Sequence, residues 1–245
     1  MIEIRRLSVN FGAQKTLQNI NLKVPTGSFT TFVGPSGCGK STLLRCIAAL
    51  QNPTSGDVIV ESESSDDIAF VFQSPNLLPW RNVLQNVWLP MELRQQSDQR
   101  TRQRDATKIC ELVGLNEQDY GKSPKMLSGG MQMRVSLARA LITDPKILLL
   151  DEPFAALDDI LRQELNGELL RLWSEKKWTS IFVTHNVAEA VFLSQSIVVL
   201  TKTPGRIADI VEVPFSYPRA ASLRTTPEFA ALCGKVSDSL WEAAR

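Results

Sequence analysis

The stretch "GPSGCGKST", residues 34–42, decides how the rest of this chain is interpreted. It fits the pattern G-x-x-x-x-G-K-[ST], in which glycines turn backbone N–H groups toward a nucleotide's phosphates, the lysine reaches the β- and γ-phosphates, and the hydroxyl ligates Mg²⁺. Its defined positions are filled by Gly34, Gly39, Lys40 and Ser41. The alternative is an ordinary glycine-rich turn. The apolar "FTTFV" before it and the helical pattern of "KSTLLRCIAAL" after it favour a phosphate cradle, because a helix N-terminus adds partial positive charge there.

The composition of the 245-residue chain argues against several classes of protein. Lys and Arg number 27 against 26 Asp and Glu, so the formal net charge of +1 does not favour nucleic acid or an anionic membrane surface as the main ligand. The four cysteines form no C-x-x-C pair, which favours reduced thiols over a zinc site or a disulfide framework. No signal peptide is recognised, and no apolar run reaches the roughly 18 residues of a spanning helix. We therefore expect a soluble chain that reaches a membrane only through a partner.

Hydrophobic patterning predicts an α/β fold with a P-loop NTPase core. "IEIRRLSV" and "LQNINLKV" alternate like strands of an N-terminal antiparallel subdomain. The runs "SFTTFV", "KILLLDEP", "TSIFVTH" and "SIVVLT" are interspersed with helical segments, which indicates a parallel sheet with helices on its faces. We predict a core of residues 1–75 and 144–215, an inserted helical subdomain at residues 76–143, and a tail at residues 216–245 that carries little signal.

Two acids, Asp151 and Glu152, end the apolar run "ILLL". A phosphate loop needs a second strand that carries carboxylates, where Asp151 would hold Mg²⁺ and Glu152 would polarise the attacking water. Taken alone, the pattern also fits a strand end with two solvated acids. Its combination with the glycine loop favours the catalytic interpretation.

A second glycine-rich helix start occurs in "LSGGMQMRVSLARAL", residues 127–141. Ser128, Gly129 and Gly130 lead into a predicted helix whose N-terminus is a second anion site. A single bound nucleotide would not easily need two such anion sites in one chain. With the phosphate loop and "ILLLDE", this stretch resembles the ATP-binding-cassette (ABC) ATPases. In that family the signature serine and glycines of one subunit close on the γ-phosphate held by the other.

The resemblance covers almost the whole chain and implies a role for several residues. The catalytic residues that it implies are Lys40, Gln73, Glu152 and His185. The implied ATP-binding residues are Phe11, which would stack on adenine, and Gly34, Pro35, Ser36, Gly37, Cys38, Gly39, Lys40, Ser41 and Thr42. The implied Mg²⁺ ligands are Ser41, Gln73 and Asp151. The residues implied to face the partner subunit are Ser128, Gly129, Gly130 and Gln132 of the signature and Asp158 of the D-loop.

Simpler interpretations exist for the isolated residues. Phe11 alone would be a core residue, Gln73 a polar residue after a strand, and His185, the only histidine, a structural side chain. The chain also departs from the usual family pattern, with Met131 at the fifth signature position and Asn186 after the histidine. Every residue assigned to chemistry is nevertheless present.

A finer resemblance links "QSPNLLPWRNVLQNVWLP", "LSGGMQMRVSLARAL", "DEPFAALD" and "TPGRI" to the importer ATPases for nitrate, sulfonate or taurine, and thiamine precursors. It implies that ATP and Mg²⁺ bind in a head-to-tail homodimer. The implied partners are integral-membrane permease subunits and a periplasmic or extracellular solute-binding protein, with no nucleic acid. The implied location is the cytoplasmic side of the inner membrane, and the transported solute is left open.

Three other classes of protein fit the sequence less well. A soluble cassette ATPase acting on DNA or ribosomes usually carries a long coiled coil or two cassettes, whereas residues 74–127 offer only a short insert. A P-loop phosphotransferase would lack the signature, and a nucleotide-binding regulator without hydrolysis would not need Glu152.

Two further hypotheses concern specific side chains. The segment "PNLLPWRNVLQNVWLPMEL", residues 75–93, is rich in apolar side chains that either receive a permease helix or form subdomain core. Cys38 lies within the glycine loop, so we expect bound ATP to protect its thiol from reagents.

Overall fold

The computed structural model describes residues 1–62, 64, 67–95 and 97–245, and it divides into two compact units. Unit 1 comprises Met1–Ser62 and Asn166–Arg245, and unit 2 comprises Glu63–Leu165. Among the described residues, no helix is both long enough and apolar enough to cross a bilayer.

Groups of strands and groups of helices follow one another along the chain. The nine strands of the described residues are β1 (Ile2–Phe11), β2 (Gln14–Val24), β3 (Phe29–Val33), β4 (Ser55–Val60), β5 (Ile68–Val71), β6 (Ile147–Asp151), β7 (Thr179–Val183), β8 (Ser196–Leu200) and β9 (Ile207–Glu212). The eight α-helices of the same residues are α1 (Lys40–Ile47), α2 (Val83–Val87), α3 (Leu89–Leu93), α4 (Gln99–Leu112), α5 (Gly129–Leu141), α6 (Asp159–Lys176), α7 (Val187–Leu193) and α8 (Pro227–Ala243).

The first sheet of unit 1 is antiparallel and has the strand order β2-β1-β4. Ile2 of β1 lies opposite Val24 of β2 and Val60 of β4. Apolar residues of β1 are buried at alternate positions over its first part, because the period of two places them on one face. The predicted antiparallel pair is confirmed, and both strands extend until only Gly12 and Ala13 separate them.

The second sheet of unit 1 places β3 between β7 and β8, parallel to both, with β9 antiparallel to β8. All residues of β3 and β7 are buried, as expected for parallel strands covered on both faces. Phe32 lies opposite Val183 of β7, and Val33 lies opposite Val199 of β8, so the carboxyl ends of the three strands reach one edge. Ligands of open α/β sheets bind at that edge. The parallel arrangement is confirmed, whereas β9 was not predicted.

Unit 2 contains the parallel pair β5 and β6 and the helices α2 to α5. Helix α2 packs against α4 and α5, and Val87 of α2 and Cys110 of α4 are fully buried. The predicted strand "DDIAFVFQ" is confirmed over Ile68–Val71. Asp66 of that strand and Gln96 of the predicted helical residues 76–143 lie outside the described residues.

The tail contains helix α8, which packs against α7, β8 and β9 in unit 1. Thr226 caps the helix by accepting a hydrogen bond from Phe229 N at 3.3 Å, and Pro227 occupies the first helical position, where its missing N–H has no cost. Phe229, Val236 and Ala243 recur every seven residues and are buried on one face of α8. These signals were available in the sequence.

Candidate functional site

The predicted phosphate loop, residues 34–42, follows β3 and leads into α1 in unit 1. Gly39 caps α1 with a φ of 101°, a left-handed conformation that side chains with a Cβ rarely adopt. A Cβ on Gly39 would lie 2.7 Å from Leu17 Cδ2, and a Cβ on Gly34 would lie 2.9 Å from the carbonyl oxygen of Leu200. Both positions therefore require glycine.

Lys40 places its ammonium group inside this loop. The residue is only 6% exposed, and its Nζ donates hydrogen bonds to the carbonyl oxygens of Gly34 at 2.8 Å and Pro35 at 3.1 Å. A buried cation held by backbone carbonyls gains most from an anion with several oxygen atoms, because charge-assisted hydrogen bonds replace its lost hydration. The loop thus fits a nucleotide's phosphates, and half-buried Ser41 and Thr42 begin the helix beside it.

His185 lies at the same edge of the sheet as the phosphate loop. It follows β7, and Thr184 N donates to Phe32 O of β3 at 3.3 Å. The phosphate loop starts at Gly34, directly after β3, so loop and histidine come from neighbouring strands of unit 1. The side chain of His185 is exposed.

A buried polar network holds the turn that carries His185. Glu189, itself buried, accepts hydrogen bonds from Thr184 Oγ1 at 2.5 Å and from Asn166 Nδ2 at 3.2 Å. Asn186 caps α7, since its Oδ1 accepts from Glu189 N at 3.1 Å. Asparagine caps helices as well as aspartate does, so this departure from the family pattern preserves the local structure. Sequence reasoning missed Glu189, although an acid three residues after a cap was the available signal.

Gln73 and Asp151 come from neighbouring strands of unit 2. Val71 of β5 lies opposite Leu150 of β6, and Gln73 follows β5 while Asp151 ends β6. Asp151 is only 4% exposed, whereas Gln73 is exposed. Two residues with oxygen-bearing side chains therefore lie at the same edge of the β5–β6 strand pair. Such a set fits Mg²⁺, which is usually bound through one or two carboxylates together with substrate phosphates.

Glu152 adopts a left-handed conformation, with a φ of 45°. Its carbonyl oxygen accepts a hydrogen bond from Ala155 N at 3.2 Å, so it begins a tight turn directly after β6. Its side chain is half-buried. Strained backbone of this kind in a residue other than glycine is uncommon and clusters at functional sites.

The signature residues form the N-terminus of α5 in unit 2. Ser128 is the N-cap, and its hydroxyl accepts from Met131 N at 3.3 Å. Ser128 and Gly129 are exposed, whereas Gly130 is buried. Gln132 points back toward its own loop, where its Nε2 donates to Pro124 O at 3.1 Å and to Leu127 O at 3.2 Å.

Asp158 of the predicted D-loop lies at the start of α6. Its Oδ1 accepts a hydrogen bond from Leu161 N at 3.0 Å. Leu157 and Leu161 from this same stretch approach Gly129 and Gly130, so the signature and the D-loop are packed together within unit 2.

The side chains of the remaining predicted residues differ in exposure. Phe11 is half exposed at the end of β1, while Pro35 is half-buried, and Ser36 and Gly37 are exposed on the phosphate loop. Cys38 is 0% exposed. A thiol reagent would therefore find Cys38 buried already without ATP, which removes the basis for the expected protection by nucleotide.

The apolar segment at residues 75–93 divides clearly by exposure. Trp80 is 76% exposed, whereas Leu84, Val87 and Trp88 are buried in unit 2. The core interpretation is therefore correct for these buried residues, whereas Trp80 and Leu93, which is 74% exposed, remain accessible to a partner.

Comparison with known proteins decides the family. The model of a family described as "ABC transporter" matches residues 17–155, more than half of the chain. The chain belongs to the ABC transporter family. It is an ATP-binding subunit of that family and an ATPase, and the α/β P-loop fold is confirmed. The alternative of a phosphotransferase is not favoured.

Named relatives of this ABC ATPase cover most of its length. An uncharacterized ABC transporter ATP-binding protein of Methanocaldococcus jannaschii is 48% identical over 221 residues, which cover 88% of this chain and 80% of the relative. The aliphatic sulfonates import ATP-binding protein SsuB of Bacillus thuringiensis subsp. konkukian is 42% identical over 229 residues, which cover 92% of this chain and 88% of the relative.

Solved structures of ABC cassettes resemble the chain closely. A dimeric structure of the ABC transporter cassette MJ0796 matches with a TM-score of 0.79 and 30% identity, covering 88% of this chain and 100% of that chain. A dimeric post-hydrolysis state of the same cassette, bound to ADP and Pi, matches with a TM-score of 0.78 and 30% identity over the same share of both chains.

Proposed function

We propose that this ABC ATPase drives the uptake of a solute through a membrane permease, acting as a head-to-tail homodimer at the cytoplasmic side of the inner membrane. The observation that carries the proposal is the 42% identity to an aliphatic sulfonate import ATPase over 92% of the chain. That relative favours an aliphatic sulfonate as the class of solute. The proposed partners are permease subunits and a periplasmic or extracellular solute-binding protein.

In this proposal the loop at residues 34–42 binds the phosphates of ATP. Lys40 contacts the β- and γ-phosphates, and the backbone N–H groups of the glycine loop and the first turn of α1 surround them. The exposed ring of Phe11 stacks on adenine. His185, which leaves the sheet beside this loop, contacts the γ-phosphate.

Ser41, Gln73 and Asp151 would hold Mg²⁺, whose charge would offset the charge that develops on the phosphate oxygens. Glu152 accepts a proton from the water that attacks the γ-phosphorus, the bond from that phosphorus to the β–γ bridging oxygen breaks, and ADP leaves. The turn that begins at Glu152 supports this role, because a fixed backbone limits the positions of the carboxylate.

The dimer follows from the second anion site of the chain. Helix α5 begins with exposed Ser128 and Gly129, while Gly130 packs against Leu161. A helix start that keeps its N-terminal face open suits the phosphates of a nucleotide held by another copy. Two copies related by a twofold axis would complete both sites at once, and the dimeric cassettes of similar fold support this arrangement.

Purified protein and a reconstituted transporter test the proposal. The chain should hydrolyse Mg-ATP, and Lys40→Ala should abolish hydrolysis or ATP binding, because a positive charge aimed at the phosphates is lost. Reconstituted in vesicles with its permease, the wild-type chain should accumulate a labelled aliphatic sulfonate only when ATP is present on the ATPase side.

Different outcomes would separate the parts of the proposal. ATP hydrolysis without association with any permease, together with retention of nucleic acid or ribosomes on purification, would overturn the import function. Uptake of another solute would leave the import function intact and overturn only the sulfonate assignment.

A further inference from the structure

The loop between β8 and β9, residues 201–206, lies against the phosphate loop within unit 1. Thr203 Oγ1 donates a hydrogen bond to the carbonyl oxygen of Gly37 at 2.9 Å. Gly205 faces the next residue, since a Cβ there would lie 2.2 Å from the carbonyl oxygen of Cys38. The β8–β9 loop therefore contacts two successive carbonyls at the centre of the phosphate loop.

The hydrogen bond from Thr203 fixes the orientation of one peptide group. A trans peptide is planar, so its C=O and N–H point in opposite directions. The Gly37 carbonyl points out to Thr203, and the N–H of the same peptide, on Cys38, points into the loop, where it donates to Pro35 O at 3.3 Å. Gly37 has a φ of 75° and, as a glycine, no side chain of its own that could hold this conformation.

The β8–β9 loop is itself anchored on two other sides. Gly205 N donates to Thr16 O at 2.8 Å, and Gln18 N donates to Gly205 O at 2.9 Å, which ties the loop to β2. Lys202 N donates to Ala243 O at 3.1 Å, at the end of α8. Thr203 is thus presented from a fixed segment, and this is what allows one hydroxyl to impose a position on Gly37.

We infer that Thr203 is a positioning residue for ATP: by binding the Gly37 carbonyl it holds the turn that the Cys38 N–H closes onto Pro35 O, and with it the backbone of the phosphate loop, in place before the nucleotide arrives. The inference rests on the proposed binding of ATP at residues 34–42 and extends it to a side chain outside the loop. It also gives the "TPGRI" motif, residues 203–207, a role in nucleotide binding. Preorganisation of this kind improves affinity, because less conformational freedom is lost on binding.

Three variants test the role of the hydroxyl. Thr203→Val keeps the shape and removes the donor, while Thr203→Ser keeps the donor. Thr225→Val is the matched control, because Thr225 is also exposed and its Oγ1 donates to a backbone carbonyl, that of Ser222, at 2.8 Å. The measurements are the dissociation constant of radiolabelled ATP, KM and kcat for ATP hydrolysis, and the thermal midpoint without nucleotide.

Thr203→Val should raise the dissociation constant and the KM of ATP roughly two- to tenfold, the range for loss of one neutral hydrogen bond. The kcat at saturating ATP should be unchanged, as expected when ground state and transition state lose the same interaction. Thr203→Ser and Thr225→Val should both bind ATP with wild-type affinity. The thermal midpoint measured without nucleotide should not fall in step with the loss of ATP affinity.

Wild-type ATP affinity in Thr203→Val would overturn the inference, as would an equal loss in Thr225→Val. If the valine variant does not fold, Thr203→Ala takes its place, because its smaller side chain fits wherever threonine does. Failure of the wild-type chain itself to bind ATP would instead overturn the proposed site at residues 34–42.

Discussion

Gly130 of the signature helix and Leu161 of α6 are so close that a Cβ on the glycine would lie 2.4 Å from Leu161 Cδ2. Gly129, one residue earlier, has far more room, since its Cβ would lie 3.8 Å from Leu157 Cδ2. The two signature glycines therefore differ: Gly130 is required by packing inside unit 2, and Gly129 is not.

Gly130→Ala should lower the free energy of unfolding by about 1–3 kcal/mol, because the added methyl group overpacks the contact with Leu161. Urea denaturation measures the effect. Gly129→Ala is the matched control and should not destabilise, and Leu161→Ala should remove the penalty of Gly130→Ala when the two are combined. Equal midpoints for both glycine variants would contradict this account.

Glu152→Gln should reduce ATP turnover roughly 10²–10⁴-fold, because the amide does not accept the proton of the attacking water. ATP binding should persist, since the phosphate contacts are made by other residues. Phosphate release and equilibrium binding of labelled ATP measure the two effects separately. Glu175→Gln, which changes an exposed acid paired with Arg171, should leave turnover intact. Normal hydrolysis by Glu152→Gln would rule out its role as the base.

Ser128→Arg should prevent an ATP-dependent dimer. In the Glu152→Gln background, ATP should shift the purified chain from monomer to dimer in size-exclusion chromatography with light scattering. A bulky cation at the exposed N-cap of α5 would obstruct the partner's nucleotide, whereas Ser222→Arg, on an exposed part of the C-terminal segment, should not. A dimer that forms equally well without ATP, or despite Ser128→Arg, would show that the signature does not close on a partner.

Trp80→Glu should impair transport in the reconstituted system while the isolated subunit keeps its ATPase activity. Trp80 is highly exposed, so a charge there alters a surface rather than the core. Trp241→Glu, at another exposed tryptophan in α8, is the control and should leave uptake unchanged. Val83 is unsuitable for the same test because it is buried. Unimpaired uptake with Trp80→Glu would remove this surface from the permease contact.

Native thiol labelling at pH 8 should be faster at Cys233 than at the three buried cysteines. Burial raises the pKa of Cys46 to about 11 and that of Cys110 to about 12, and because the thiolate is the nucleophile, both react slowly at lower pH. Cys38 is fully buried. Burial also raises the pKa of Cys233, but Arg224 opposes the rise and the residue is half-buried, so labelling there should accelerate as pH rises.

The labelling experiment has an internal control. All four cysteines should react after unfolding in urea, which counts the thiols in the same sample. ATP should not change the native labelling of Cys38. Rapid labelling of Cys38 that ATP suppresses would show that the phosphate loop opens far more than its buried thiol indicates.

The sequence by itself determined the elements whose signals are local. The glycine spacing at residues 34–42 predicted a turn after a strand, because glycine readily adopts the left-handed backbone conformation that such a turn requires. Gly39 has that conformation. The apolar runs that became β3, β6 and β7 predicted buried parallel strands, because a strand covered on both faces cannot alternate. The resemblance to ABC ATPases rested on such local motifs and is confirmed by the family match.

Only the tertiary structure decided which side chains meet and which remain exposed. Trp80 and Trp88 belong to one apolar segment, yet the first is exposed and the second is buried, because exposure depends on how α2 packs against α4 and α5. Thr203 and Gly37 are 166 positions apart, and their hydrogen bond exists because β8 pairs beside β3 and brings the two following loops to one edge of the sheet. The spacing of residues along the sequence does not predict such a contact, because the contact depends on the order of the strands in the sheet.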